Sequence, residues 1–250
     1  MKTEWDYTTL ANAYLRRPNY SSAAIDAMLS VMKINHGEAC DVGAGVAHLT
    51  LELLNRDFKV AAVEPNDAMR ENGIVRTDSY KNISWHEGTG EATGQNAGRF
   101  DLVTFGSSFN VCDRGRALIE SNRILKKGGW FACMWNHRDL TNNIQQEIES
   151  IISSHVPNYN YGSRREDQTN VINESGLFDK VVEISSSIIH EQPTKECIEA
   201  WSSHATLARQ AGKAFENVVK EIADFLNSSG KDVVDIPYST KIWIAQTKKN

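Results

Sequence analysis

Between residues 37 and 64 the chain runs strand, glycine loop, helix, strand and acid, and this order constrains the fold more than any other feature. Gly37-Glu-Ala-Cys-Asp-Val42 reads as a buried strand. It empties into Gly43-Ala-Gly45, where missing side chains let the backbone turn tightly and approach a ligand. A helical pattern over residues 48–56 follows, so the loop lies at a helix N-terminus, which favours polar or anionic groups. Lys59-Val-Ala-Ala-Val-Glu64 is a second apolar strand that ends on an acid. Doubly wound folds place such a carboxylate, roughly 20 residues beyond the loop, on ribose hydroxyls.

The same alternation continues. Residues 82–86, 100–105 and 130–135 read as strands, and helical patterns fill 67–72, stopped by Gly73, and 114–126, stopped by Gly128-Gly129. Strand alternating with helix gives right-handed crossovers and a parallel sheet covered on both faces. After residue 140 the rhythm changes. Residues 142–155 and 163–174 read as helices, the second opened by the capping box Ser163-Arg-Arg-Glu166. A strand at 181–189, helices over 194–212 and 213–227, and a strand at 240–246 follow, the last alternating as a half-buried edge strand does. No linker is visible, and a single domain over 1–250 is expected.

Composition closes off several classes. The 250 residues carry a net charge of −5, which argues against a nucleic-acid partner, since phosphate contacts need clustered Lys and Arg. No apolar run approaches the ~20 residues of a membrane span, and the first residues do not open a signal peptide. Cys40, Cys112, Cys133 and Cys197 lack C-x-x-C spacing, so neither a metal site nor a disulfide framework is expected, and the reducing cytoplasm is the expected compartment.

The charge pattern at the loop selects among nucleotides. A dinucleotide fingerprint needs a small third residue at the position held by His48, and Asp41, two residues before the first glycine, would repel a pyrophosphate. A carboxylate there suits a cation. S-adenosylmethionine carries a sulfonium and an ammonium and no phosphate, so an NAD-dependent oxidoreductase is disfavoured. The acid also has a plainer reading as a helix cap.

The ordered series Asp41-Val-Gly-Ala-Gly45, Val63-Glu64-Pro65-Asn66, Gly88-Thr-Gly-Glu91, Phe100-Asp-Leu-Val103 and Arg123-Ile-Leu-Lys-Lys-Gly-Gly-Trp130 resembles the class I S-adenosylmethionine-dependent methyltransferases, in the branch acting on small molecules. The match is good over about residues 36–135 and loose elsewhere. It implies an α/β, doubly wound, mostly parallel seven-stranded Rossmann-like sheet with an N-terminal helical lid and a helical insertion near the C-terminus. Residues 1–35 would then be the lid, 36–140 the donor-binding core and 141–250 the acceptor-side helices and closing strands. In that family Asp41, Gly43 and Gly45 wrap the methionine moiety and Glu64 with Pro65 holds the ribose. Thr89, Gly90 and Glu91 meet adenine, and Gly106 and Ser107 line the methyl-transfer face. Two positions depart from the family: Ala47 replaces a third glycine, and Thr89 replaces an adenine-binding aspartate.

The arm ahead of the first strand, with Tyr7, Tyr14, Arg17 and Tyr20, resembles the family's lid, with Tyr14 and Arg17 on the donor and Tyr7 toward the acceptor. Beyond the strand ends lie Phe109, expected to wall the acceptor pocket, Asn110 and Asn136, expected to orient it, and His137, the natural base candidate or a loop histidine. Arg164 and Arg165 are candidates for a substrate carboxylate, and His204 for closing the acceptor pocket. The expected chemistry is methyl transfer to N or O of a small molecule; a non-catalytic donor-binding module stays open.

Overall fold

The structure, a computed structural model, describes residues 11–202 and 204–248. Its chain contacts divide it into two compact units, one of residues 11–136, Glu166–Ser186 and 240–248, the other of His137–Arg165 and Ser187–Ser239. The late helices of the second unit gather a hydrophobic core of their own.

A seven-stranded sheet runs in the order β3 (Ile83–His86), β2 (Phe58–Val63), β1 (Gly37–Val42), β4 (Phe100–Gly106), β5 (Leu125–Arg138), β7 (Val233–Gln246) and β6 (Val182–Pro193). Parallel pairing joins β3 to β2, β2 to β1, β1 to β4 and β4 to β5. The closing strand, read as an edge, instead lies between β5 and β6. It begins at Val233, well before the expected residue 240, and buried Val234, Ile236, Tyr238 and Thr240 continue its alternation.

Period-two alternation decides which residues face which layer. Cys40, Val63, Val103, Phe105, Phe131, Cys133, Trp135 and Trp243 share one core with Leu118 of α5 (Arg114–Ile124) and Ile172 of α7 (Thr169–Glu174). Their sequence neighbours Ala39, Leu102, Ala132, Met134, Ile242 and Ile244 face the other way. They pack with Ile25 and Met28 of α2 (Ser22–Met32) and Leu49 and Leu53 of α3 (His48–Leu54). Helices cover both faces, as a parallel sheet requires. At the N-terminal end, α1 (Ala11–Tyr14) packs Ala11 against Val46 and Met69.

The second unit holds α6 (Asn143–His155), α8 (Thr194–Ser202), α9 (Ala205–Ala211) and α10 (Phe215–Ser228). Ile148, Ile152, Trp201, Leu207, Val218, Ile222 and Leu226 form its core, with Ile236 and Tyr238 of β7. Two long expected helices are broken here. The 194–212 pattern splits at His204, which caps α9 by accepting from the Leu207 N–H at 3.1 Å. The 163–174 pattern yields only a 3-10 turn at Gly162–Arg165 and then α7, and Asp167 rather than Ser163 accepts the Thr169 N–H, at 2.8 Å.

Gly73 does not stop its helix. It lies inside α4 (Asp67–Arg76), because a Cβ there would drive into the Trp85 indole and come within 3.0 Å of the Gly45 carbonyl. The indole cannot retreat freely, since its Nε1–H donates to Thr77 Oγ1 at 3.0 Å. Alanine in a helix interior is worth up to ~1 kcal/mol over glycine, and overpacking costs ~1–3 kcal/mol. Gly73→Ala is therefore expected to lower stability by about 1–2 kcal/mol in urea unfolding; a stabilised variant would show that Trp85 yields.

Candidate functional site

The first unit builds a loop site at the C-terminal ends of β1, β2 and β4, where open α/β sheets bind ligands. Gly43 and Gly45 take left-handed φ values of 67° and 55°. Gly43 also leaves no room for a side chain, since a Cβ would strike the Ser108 side chain, whose hydroxyl donates to the Val42 carbonyl at 2.6 Å. Over Gly45 the space is open, with only the Gly43 carbonyl 4.0 Å from an added Cβ. Two non-glycine residues are also left-handed at this end of the sheet, Ala47 at 72° and Ser107 at 59°. Such strain gathers where ligands are held. Ala47 thus holds a backbone conformation that glycine adopts more readily.

Glu64 ties the loop to β2. Its Oε2 accepts the Gly45 N–H and its Oε1 the Asn66 N–H, both at 2.9 Å, while Arg70 donates to its carbonyl at 2.8 Å. Burial pushes its carboxyl above the ordinary range, and the two amides oppose that shift. Each oxygen holds one backbone donor and keeps a further lone pair. Pro65 follows, and Asn66 caps α4 by accepting from Met69 N–H at 3.0 Å.

Asp41 lies beneath the loop, 1% exposed. Thr50 Oγ1 donates to it at 2.6 Å from α3, and Thr104 Oγ1 at 2.9 Å from the register partner on β4. Burial lifts its carboxyl to about 6 against these bonds. It is a buried carboxylate that also accepts a backbone hydrogen bond from Thr50 in the first turn of α3, pinning β1, β4 and α3 under the loop. The two threonines were not singled out in the sequence. Thr104 was findable only through strand register, and Thr50 only through the helical turn facing it.

His48 explains its own bulk. Its Nε2 lies 2.8 Å from the Tyr14 carbonyl and its Nδ1 3.0 Å from Asn19 Oδ1, so it fastens the N-terminal arm to the first turn of α3. Burial lowers its pKa to about 4, keeping it neutral. Further along the arm, Tyr20 OH meets Ser107 Oγ at 2.9 Å. Asn136 donates to the carbonyls of Pro18 and Asn19 at 3.1 and 2.9 Å and accepts from Thr240 at 2.6 Å. Asn136 thus anchors the arm. Arg17 is exposed, with its guanidinium 3.6 Å from the centroid of the Tyr14 ring. Tyr7 lies outside the described residues.

Thr89 and Ala92 exchange backbone hydrogen bonds at 3.1 and 3.2 Å, making a tight turn around Gly90, where a Cβ would meet Cys112 Sγ. Glu91 accepts the Asp113 N–H at 2.6 Å, linking this turn to the start of α5. Gly106 and Ser107 close β4, a Cβ on Gly106 falling 3.0 Å from Tyr20 OH.

On the acceptor side two expectations change. Phe109 is fully buried, its ring edge-on to Phe105 and Phe131 at 5.3 and 5.4 Å, so it is core and not a pocket wall. Asn110 accepts from Trp135 Nε1 at 3.0 Å and so holds an indole. In the second unit His137 Nε2 lies 2.8 Å from the Arg164 carbonyl, and Arg164 and Arg165 lie over the Tyr161 ring at 5.1 and 4.4 Å. His204, the α9 cap, stacks on Trp201 at 5.2 Å between centroids, and its capping role explains it without a pocket. No group of three or more His, Cys, Asp or Glu among the described residues could hold a metal ion.

Residues 40–133 match the model of the methyltransferase domain family. Over that stretch the chain is similar to methyltransferases. An uncharacterized methyltransferase of Mycobacterium tuberculosis is 30% identical over 147 residues, 58% of this chain and 58% of that protein, so the chain spans under two thirds of the relatives it matches. The crystal structure of the YcgJ protein from Bacillus subtilis superimposes with a TM-score of 0.58 at 13% identity, over 92% of this chain and 100% of the other. A phosphoethanolamine N-methyltransferase 2 of Haemonchus contortus, solved with phosphomonomethylethanolamine and S-adenosylhomocysteine, gives 0.55 at 13% identity, over 95% of this chain and 56% of that one. These structural likenesses concern the fold.

The donor set fits the family's cofactor. Two buried carboxylates and open space over Gly45 suit a cationic, phosphate-free ligand, whereas a pyrophosphate at the loop would face Asp41 from below. Glu64→Ala removes both a prospective acceptor for hydroxyls and the clamp on Gly45 N–H. Loss of a charged hydrogen bond costs about 1.5–3 kcal/mol. S-adenosylhomocysteine should therefore bind at least tenfold more weakly in calorimetry, and an unchanged dissociation constant in a folded variant would refute the assignment.

Asp41 makes a separate, pH-dependent prediction. An acid whose native pKa is raised from 3.8 to about 6 holds its proton more tightly when folded. Its contribution to stability is complete below pH ~4 and is lost as pH rises through ~6. Asp41→Asn carries no such titration. The difference in unfolding free energy between wild type and variant should change over that window and be flat above pH ~7; a difference independent of pH would place Asp41 at an ordinary pKa.

Proposed function

We propose that the chain transfers the methyl group of S-adenosylmethionine to a nitrogen or oxygen of a small-molecule acceptor. The observation that carries this reading is Glu64, which grips Gly45 N–H and Asn66 N–H and retains acceptor capacity beside the open face of Gly45. In this reading Glu64 receives the ribose hydroxyls, and Gly43 to Gly45 border the methionine moiety. The turn of Thr89 to Glu91 borders adenine, and Gly106 with Ser107 borders the methyl. The arm held by His48 and Asn136 excludes water, with Tyr14 and Arg17 at its near end.

S-adenosylmethionine supplies an electrophilic methyl on a sulfonium. The acceptor lone pair forms the new N–C or O–C bond as the C–S bond breaks; the electron pair stays on sulfur and the acceptor's proton leaves to solvent. The protein's contribution is orientation, which can supply several kcal/mol when reacting atoms are held ~3–3.5 Å apart. His137, with Nε2 on a carbonyl, is assigned a positioning part and not the role of base. We place the reaction in the cytoplasm, in keeping with four free cysteines, and no helix among the described residues is long and apolar enough to cross a membrane. The mycobacterial relatives are named methyltransferases and the nematode structure an N-methyltransferase, which supports the class of reaction.

Calorimetry with S-adenosylhomocysteine and NAD tests the cofactor, and transfer of tritiated methyl to a panel of amines, phenols and carboxylic acids tests the activity. The homocysteine ligand should bind and NAD should not, with label found in at least one acceptor. Donor binding without transfer to any acceptor would leave a binding module and overturn the enzyme reading. With an acceptor found, His137→Ala should retain turnover within about threefold at pH 8. An obligatory base would instead lose ~10²–10⁴-fold.

A further inference from the structure

Tyr20 brings a phenol from the N-terminal arm to the C-terminal end of β4. Its hydroxyl meets Ser107 Oγ at 2.9 Å and lies so close over Gly106 that a Cβ there would fall 3.0 Å from it. The phenol is 8% exposed, whereas Ser107 is an exposed residue held in a left-handed conformation. The backbone on either side of Tyr20 is fixed. Asn136 donates to the carbonyls of Pro18 and Asn19, and Ser21 N–H donates to Thr240 Oγ1 at 2.8 Å. Ser21 also caps α2, its hydroxyl accepting the Ala24 N–H at 3.2 Å. Ser107 is fixed in turn by its own N–H, which donates to the Met134 carbonyl at 2.8 Å. Two hydroxyls from distant parts of the first unit are thus set side by side before any ligand arrives, which lowers the cost of binding one.

Burial holds the Tyr20 phenol well above its usual range against the Ser107 bond, and nearby Asp41 pushes it the same way, so the group stays a neutral hydroxyl. A hydroxyl carries one proton and two lone pairs. One proton and one lone pair are shared between the two residues, so the pair keeps more lone pairs than protons. It presents oxygen mainly as an acceptor, with the charge of Asp41 adding negative potential. Such a place favours a positive group with polarised C–H or N–H bonds and offers nothing to a neutral thioether. S-adenosylmethionine and its demethylated product, S-adenosylhomocysteine, differ in this respect alone: the first carries a methyl and a positive charge on sulfur.

We propose that the Tyr20 and Ser107 hydroxyls together contact the methyl-bearing sulfonium of the donor and make the chain prefer S-adenosylmethionine to S-adenosylhomocysteine. The inference rests on the proposed function, which sets the methyl beside Gly106 and Ser107. Gly106 makes room for the phenol hydroxyl, since a side chain there would displace it. Contacts between oxygen and a polarised methyl are individually weak, and here two oxygens are already in place. Holding the charged donor more firmly than the neutral product aims the methyl and lets the product leave.

The test is calorimetric and needs no acceptor. The whole chain is titrated with S-adenosylmethionine, S-adenosylhomocysteine and sinefungin, in which an amine-bearing carbon replaces the sulfonium and its methyl and keeps a positive charge there. Tyr20→Phe retains the buried ring and removes only the hydroxyl. It should weaken S-adenosylmethionine and sinefungin by about threefold or more and leave S-adenosylhomocysteine within about twofold. Ser107→Ala should repeat the pattern, and it decides alone if circular dichroism shows that Tyr20→Phe is unfolded. Equal weakening of all three ligands would make the pair a packing contact, and unchanged affinity for S-adenosylmethionine would remove it from the donor site. Either result overturns the proposal and leaves the methyltransferase reading standing, because the wild-type chain still binds both adenosyl ligands. A wild-type chain that binds neither overturns both.

Discussion

One carboxylate organises the first unit. Glu64 terminates β2 and grasps the amide of Gly45 from the neighbouring crossover, while its other oxygen takes the amide that opens α4. Two helix starts are thereby referenced to one strand end. Val63 reinforces this by accepting from Gly43 and Ala44 N–H at 2.8 and 3.1 Å. The glycine loop is consequently stretched over the ends of two strands, and its left-handed residues are held by bonds from outside the loop. This is how strained backbone persists at a binding site: the surroundings over-determine it.

Buried acid below and neutral imidazole beside the loop then set its chemical preference. Asp41 holds both threonine hydroxyls in place and puts negative potential beneath the turn, while His48 stays uncharged because it is buried. A dinucleotide site of similar shape would ask for the reverse, a helix start stripped of side chains and no acid facing the phosphates. The residue that spoils the dinucleotide pattern is the one that clasps the arm.

Much of the fold was legible because it depends on local signals. Short apolar runs mark β1, β2 and β4, which fell within a residue of their observed ends, whereas β5 begins at Leu125, ahead of the expected residue 130, with Gly128 and Gly129 inside it. What failed was punctuation whose meaning is tertiary. Gly73 looks like a helix stop, yet it is a helical residue shaved to fit Trp85. Ser163 and Glu166 satisfy a capping pattern, yet the next helix starts at Thr169, whose N–H is taken by Asp167. Phe109 sits beside the chemistry in sequence, but its ring turns into the aromatic core, a choice made by Phe105 and Phe131 and invisible locally. His204 likewise had a backbone amide three residues on as its nearest claim.

The site residues divide in the same way. Glycines and the strand-end acid are readable because backbone conformation and spacing demand them. Thr50, Thr104, Ser108 and Asn136 are not, since each is an ordinary polar residue whose part depends on what register and crossover bring opposite. Arg138 is the extreme case. In sequence it is one charge in Asn136-His-Arg-Asp139 with an acid adjacent, and the ordinary expectation is a solvated pair. The fold instead turns Asp139 toward Thr141, which donates to it at 2.7 Å, and lays the guanidinium against Trp201. The arginine is thereby separated from its neighbouring acid and held by Tyr238 OH and the indole face.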